Sequence, residues 1–284
     1  MLTKPILCIS SPNIHPEHAR SPVSQAAHIA FGKDSSAIWG CPAARCAVAV
    51  ARLGVPIMMI GRVGDDDPGR QLTADLRAEG VDCAHLGVAP GSNLDLTAED
   101  MSSAEDLIRR AAVCLLHPET SVAVLERAVE LCRVNGVEII AAAEGSCAGT
   151  APASFSRVDV LCCDEAAAGQ LTGLSTAESP RAVAAALAKR GCRSVVLRLG
   201  ERGAYVFSPD GESAVPGFAL RPVNTIAAAD CFVAALAAGR AWGWSLHEAI
   251  RFANAAGALA GTRAGFHSTL PARAEVEALL ISQL

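Results

Sequence analysis

The sequence predicts an α/β fold in three layers, a mainly parallel central sheet with helices on both faces. Two observations carry this. Short apolar runs without polar alternation recur along the chain, as strands buried on both faces do. Longer helical patterns separate them, the rhythm of parallel strands joined by crossover helices.

In order, Ile6–Ile9, Ile57–Val63, Val113–Leu116, Val137–Ala142, Val158–Cys162 and Val195–Leu199 read as strands. Helical patterns fill the intervals at Ala43–Leu53, Gly69–Ala78, Ala98–Arg110, Val122–Val134, Glu165–Leu171 and Arg181–Lys189. Thr97 with Asp100 resembles a capping box, and Gly136 suits a helix stop. The last third differs. Gly203–Phe207 and Ser213–Val215 flank Pro209-Asp210-Gly211 as a hairpin, followed by helices at Ala228–Arg240, Leu246–Gly261 and Arg273–Gln283. No composition break marks a second domain, so residues 1–284 read as one. Residues 11–38, rich in Pro, His and Ser, read as a lid or flap segment or an irregular loop.

A chain of 284 residues buries a core large enough to fold without metal or disulfide staples. The net charge of -5, with Lys and Arg scattered, gives no reason to expect a nucleic-acid partner. No apolar run approaches the ~20 residues of a membrane span, so no membrane partner is expected. The eleven cysteines show no C-x-x-C and no zinc-type spacing with histidine, and Cys8, Cys114, Cys162, Cys163 and Cys231 lie in apolar contexts. An odd count without a secretion signal points to reduced thiols and a cytoplasmic location. His15, His18 and His28 lie in the irregular stretch, and no metal site is assigned there.

The segment Asn224-Thr225-Ile226-Ala227-Ala228-Ala229-Asp230 enters a helix after a polar turn. N–H groups there lack helical partners and attract anions. Asp230 is either a helix-start carboxylate or a reacting group. Arg45, on the first helix, is either ion-paired or solvated, or a receiver for an acidic ligand. The acids after Gly61-Arg62-Val63-Gly64 read as a strand-to-helix loop with a capping acid rather than a magnesium site.

Taken in order, Trp39-Gly40-Cys41-Pro42-Ala43-Ala44-Arg45, Gly61-Arg62-Val63-Gly64-Asp65-Asp66-Asp67-Pro68-Gly69, Leu199-Gly200-Glu201-Arg202-Gly203-Ala204, the Asn224–Asp230 segment and Asn254 resemble the ribokinase-like (PfkB-type) carbohydrate kinases. The resemblance runs from about residue 5 to the C-terminus. It implies transfer of a phosphoryl group from ATP, with Mg2+, to a hydroxyl of a sugar or related alcohol. It implies Asp230 as catalytic base and the Ala227, Ala228 and Ala229 backbone as anion hole. Gly200, Gly203 and Asn254 would border the nucleotide, and Gly40, Arg45 and His15 the substrate. A homodimer is a further expectation.

The departures are as informative. Asn224 replaces the family's first signature Asp, and Ala227 and Ala229 replace its glycines. Cys41 replaces a glycine, Arg45 a sugar-binding Asn, and Ala167 the Glu of an N-x-x-E motif. About twenty residues are expected to be missing between Gly87 and Gly91, which would leave a reduced lid. Two readings follow: an active or weakened kinase, and a catalytically inactive relative that senses a small molecule or binds a partner. A dinucleotide oxidoreductase is disfavoured because no G-x-G-x-x-G follows the first strand.

Overall fold

The computed structural model describes residues 3–10, 41–89, 96–117, 120–144, 153–263 and 269–282. The expected segment 11–38 lies outside the described residues. The strands are β1 (Ile6–Ile9), β2 (Ile57–Gly64), β3 (Asp82–Ala89), β4 (Val113–Leu116), β5 (Glu138–Ala143), β6 (Val160–Asp164), β7 (Ser194–Arg198), β8 (Ala204–Ser208) and β9 (Gly211–Val215). They form one nine-stranded sheet in the order β3-β2-β1-β4-β5-β6-β7-β8-β9. All pairs from β3 to β7 are parallel, and β8 and β9 close the edge as an antiparallel hairpin.

The helices are α1 (Pro42–Arg52), α2 (Asp67–Ala78), α3 (Ala98–Ser103), α4 (Glu105–Arg110), α5 (Val122–Val134), α6 (Glu165–Thr172), α7 (Pro180–Ala188), α8 (Thr225–Ala241), α9 (Leu246–Gly261) and α10 (Arg273–Ser282). Because the parallel strands other than the edge strand β3 are covered on both faces, two apolar cores form. Ile6, Cys8, Leu115, Ile140, Ala142, Cys162 and Val196 face α1, α2, α8 and α9. Leu7, Ile9, Leu116, Ala141, Ala143, Cys163 and Leu197 face α3 to α7. The predicted three layers are present.

Several boundaries differ from the sequence reading. β3 was not expected; its outward-facing polar residues on a sheet edge hide the pattern. It runs through Gly87 to Ala89, so the first half of the expected deletion is edge strand, and residues 90–95 lie outside the described set. The helix expected over Ala98–Arg110 is divided at Ala104, whose N–H bonds the Met101 carbonyl in a tighter turn. β6 sits two residues later than expected, and α8 starts three residues earlier.

The motif from Gly61 to Gly69 is structural. Asp66 accepts the Gly69 N–H at 2.8 Å and caps α2. A Cβ on Gly69 would stand 2.2 Å from the Gly64 carbonyl oxygen, so only glycine fits that approach. Thr97 and Asp100 make the expected capping box on α3.

Candidate active site at the carboxyl ends of the parallel strands

In a strand, successive side chains alternate between faces. Carried to the carboxyl ends, that alternation puts Ser10, His117, Glu144, Asp164 and Arg198 on the face covered by α1 and α8. Register aligns them in two rows. Ile9 pairs with Leu116, which sets Ser10 beside His117. Ala143 pairs with Cys163 and Asp164 with Arg198, which sets Glu144, Asp164 and Arg198 in line. Open parallel sheets bind ligands in this position, outside the carboxyl ends of the strands.

The helices add opposite charges. α1 packs on α8, and Pro42 at its first turn, followed by small residues, allows the close approach. Arg45 Nε donates to Asp230 Oδ2, and both residues are buried, at 7% and 1% exposure. Cys46 Sγ donates to the Asp230 backbone carbonyl at 3.4 Å. Beyond this pair, Arg198 Nη2 donates to Glu144 Oε1 at 3.3 Å.

Burial pushes the Asp230 carboxyl up to about 6, with the nearby Arg45 guanidinium opposing and Glu144 adding to the rise. Burial also works against charge on Arg45, but Asp230 outweighs it and holds the guanidinium above its ordinary range. Burial pulls the His117 imidazole down to about 4, so it is neutral at physiological pH. For Glu144 burial acts upward, and Arg198, Arg45 and His117 together bring the carboxyl below its usual value. The site thus sets the cations Arg45 and Arg198 against Asp230 and Glu144 around a neutral imidazole, with Asp164, which caps α6 by accepting the Ala167 N–H at 2.6 Å, as a third carboxylate near Arg198.

It does not balance its hydrogen bonds. Ser10 Oγ, His117 Nε2 and Arg198 Nε are buried without a hydrogen-bond partner among the described residues. Such a group costs about 1–3 kcal/mol, more if charged, unless something fills the position. Ser10 and His117 stand at neighbouring strand ends and Arg198 at the end of β7 on the same edge of the sheet, a surface prepared for a polar ligand.

The segment before Asp230 is wound differently from the expectation. α8 begins at Thr225, with Asn224 as its cap, so Asp230 stands within the second helical turn. The Ala227 N–H donates to Asn224 Oδ1 at 3.0 Å, and the Ala228 N–H to the Asn224 carbonyl at 3.2 Å. The Val223 and Asn224 N–H groups both reach the Gly261 carbonyl, which fastens this turn to the end of α9. Among the described residues no non-glycine residue has a positive φ, and Ala227 and Ala229 sit unstrained in helical backbone. The expected anion hole of Ala227, Ala228 and Ala229 is therefore corrected: the first two donors are engaged, and the third lies inside the helix. Thr225 and Ile226 have the N–H groups without an intrahelical acceptor.

Gly200 and Gly203 bound a short helical turn between β7 and β8. Gly203 has φ 88°, and a Cβ there would meet the Val215 carbonyl oxygen at 2.2 Å. Asn254, expected at a nucleotide, donates to the Val215 and Pro216 carbonyls at 3.1 Å each. It is buried and pins β9 to α9, so it braces the wall rather than reaching into the cleft. Gly40 and His15 lie outside the described residues.

Sequence reading missed Ser10, His117, Glu144 and Arg198. The signal was present as the first polar residue after an apolar run, at Ile9-Ser10, Leu116-His117, Ala143-Glu144 and Leu197-Arg198. It becomes meaningful only once the strands are known to be parallel and adjacent.

Comparison with known proteins agrees with this fold. The pfkB family carbohydrate kinase pattern matches residues 40–93 and 86–273. The chain belongs to the PfkB carbohydrate kinase family. As a ribokinase-like member, it is similar to the ribokinase of Haemophilus influenzae (strain ATCC 51907 / DSM 11121 / KW20 / Rd), with 27% identity covering 86% of this chain and 88% of that protein. The Arabidopsis thaliana ribokinase complexed with ribose and ATP superposes with a TM-score of 0.79 at 20% identity, covering 98% of this chain and 99% of that one. An E. coli protein described as a ribokinase II, in complex with ATP and Mg2+, gives 0.74 at 21% identity over the same shares. At these identities the structural likeness speaks for the fold.

A nucleotide phosphate fits the start of α8, where two first-turn N–H groups meet the positive end of a 17-residue helix. Among the described residues no group of three or more metal-ligating side chains forms. Magnesium fits here as an ion shared with substrate phosphates, its usual mode in such enzymes.

Proposed function

We propose that this protein transfers a phosphoryl group from ATP to a hydroxyl of a sugar or related small molecule, with Asp230 as general base. The observation that carries the reading is the buried Asp230 carboxylate in the second turn of α8, bonded to Arg45 and within the electrostatic reach of Glu144 and Arg198 at the strand ends. A carboxyl near 6 is mostly ionised at neutral pH, yet still basic enough to take a proton from an attacking hydroxyl. Acceptor hydroxyls complete the missing hydrogen bonds of Ser10, His117 and Arg198. Bound ATP would supply the phosphoryl group, with Mg2+ offsetting its charge. Its phosphates are received by the N–H groups of Thr225 and Ile226, a smaller cradle than one with free donors through residue 229. That predicts a slow enzyme, since each preorganised donor is worth about 3–4 kcal/mol in such a hole. Family membership and the absence of any membrane-crossing helix among the described residues are in keeping with a sugar kinase working in the cytoplasm.

The test is ATP consumption across a panel of sugars, sugar derivatives and nucleosides, with product identified by mass. Acceptor-dependent ADP release that Asp230→Asn abolishes supports the reading. Release that the variant leaves unchanged, or none with any acceptor, refutes it.

A further inference from the structure

The other end of the sheet, where β6 and β7 begin, carries cations that the proposed chemistry does not use. Three separate stretches bring them together. Arg133 lies in the last turn of α5, Arg157 just before β6, and Lys189, Arg190 and Arg193 between α7 and β7. Arg133 Nη1 donates to the Arg157 carbonyl at 3.1 Å, and the Arg193 N–H to the Val158 carbonyl at 3.4 Å. Cys192 Sγ donates to the Phe155 carbonyl at 3.2 Å, and a Cβ on Gly191 would stand 2.7 Å from the Ser156 carbonyl oxygen. Residues 189–193 therefore lie against 155–158, with Arg133 beside them. All five basic residues are exposed. None of them forms an ion pair among the described residues, whereas Arg52, Arg70, Arg109 and Arg127 all do. The neighbouring acids are engaged. Asp159 accepts the Ile139 N–H at 2.9 Å, Glu130 pairs with Arg127, and Glu105 and Asp106 pair with Arg109.

Helix dipoles account for part of this pattern, because cations suit the ends of α5 and α7. They do not account for Arg157 and Arg193, which precede strands. Gathered like charges repel, and an acidic partner removes that cost. The surroundings narrow the partner. Guanidinium forks match carboxylates in bidentate pairs. Val134, next to Arg133, is 77% exposed and offers an apolar contact beside the charges. Phe155, the one aromatic residue in these stretches, is buried, so no ring is offered for stacking a nucleic-acid base or for anchoring at a lipid headgroup layer. We infer that this face docks an acidic protein segment, whose carboxylates meet Arg157, Arg190 and Arg193 and whose apolar side chain meets Val134. Such a partner leaves the cleft at the carboxyl ends of the strands open.

The inference stands apart from the kinase reading, because its test measures binding and not turnover. The probe is a fluorescein-labelled peptide of glutamate pairs separated by leucine, with a glutamine version as control, titrated with the full chain and followed by anisotropy. The acidic peptide should bind and the control should not, and binding should weaken as salt rises to physiological strength. Arg157→Glu with Arg193→Glu should lower the affinity about tenfold or more, since like charges then face each other. Should that variant not fold, Arg157→Gln with Arg193→Gln removes the charges without reversing them and should lose a smaller part. Arg77→Glu with Arg251→Glu changes the net charge equally at exposed cations elsewhere, and should leave binding unchanged. An acidic peptide that does not bind, or that binds folded variants at 157 and 193 as well as wild type, would overturn the inference. Equal loss in the Arg77 and Arg251 variant would do the same, by reducing the patch to net charge. Tighter binding of single-stranded RNA or of phosphatidylserine vesicles through Arg157 and Arg193 would also overturn it, because the partner would then belong to another class.

Discussion

The two sides of the cleft are built on opposite principles. On the acceptor side, Ser10, His117 and Arg198 are buried with hydrogen bonds unmade among the described residues, and Arg45 is tied to the group proposed to react. On the donor side, Asn224 occupies the Ala227 N–H, Gly261 receives two more, and Asn254 is committed to the Val215 and Pro216 carbonyls. One side is unsaturated and waits for a ligand. The other, apart from the Thr225 and Ile226 N–H groups, has satisfied itself. Groups left unmade in a buried place signal recognition, whereas groups already paired hold shape. Substitutions should divide accordingly, with acceptor-side changes altering chemistry, and stability as well where the buried ion pair is broken, and donor-side changes altering stability alone.

The largest effect is expected from Asp230→Asn. It should lower kcat by about 10²–10⁴-fold while circular dichroism stays native, because general-base catalysis contributes on that scale. Equal loss from Asn254→Ala would erase the distinction between the sides.

Next comes Arg45→Met. Removing one partner of a buried pair costs about 3–5 kcal/mol, read as the denaturant midpoint. Wild-type activity should rise with pH through about 6 as Asp230 ionises. Arg45 opposes the upward push of burial on Asp230, so in the variant the rise should move to higher pH. An unmoved profile would detach Arg45 from the base.

On the donor side, Ala227→Gly with Ala229→Gly should reduce stability by about 1–2 kcal/mol, since glycine in a helix costs about 1 kcal/mol relative to alanine. ATP affinity should not improve, because the donors at 227 and 228 are held by Asn224 whatever side chain they carry. A clear gain in affinity would mean that the start of α8 unwinds for nucleotide, and the two sides would no longer differ in kind.

The smallest effect lies in acid stability. Asp230 is raised from 3.8 to about 6, so its contribution is full below 3.8 and lost as pH rises through 6. His117 is lowered from 6.5 to about 4, so its contribution is full above 6.5 and lost as pH falls through 4. Between 4 and 6 the two slopes oppose each other. In Asp230→Asn only the His117 slope remains, and the urea midpoint should fall more steeply on acidification than in wild type. Parallel curves would show that one of the two groups does not titrate as described.

The order of strands and helices was legible because periodicity is local. Strands such as Val113–Leu116 and Val195–Leu199 are apolar throughout because both faces are covered, and nothing distant is needed to see it. Asp230 and Arg45 could be picked out by motif order, and Asp66 as a cap by its spacing to Gly69. β3 was not legible, since an edge strand with solvent on its outer positions carries no apolar run.

What the sequence determined alone, then, was the fold class, the turn chemistry and the family pattern, all of which rest on spacing within one element or on motif order. The tertiary structure decided the pairing of Arg45 with Asp230, separated by 185 residues, and the gathering of Ser10, His117, Glu144 and Arg198. It also decided that Asn224 closes the helix start over Ala227 rather than leaving its donors open. These outcomes depend on which strand ends are neighbours and on how far a helix winds before its cap. Burial sets their energies, and burial is a property of the assembled chain rather than of any segment.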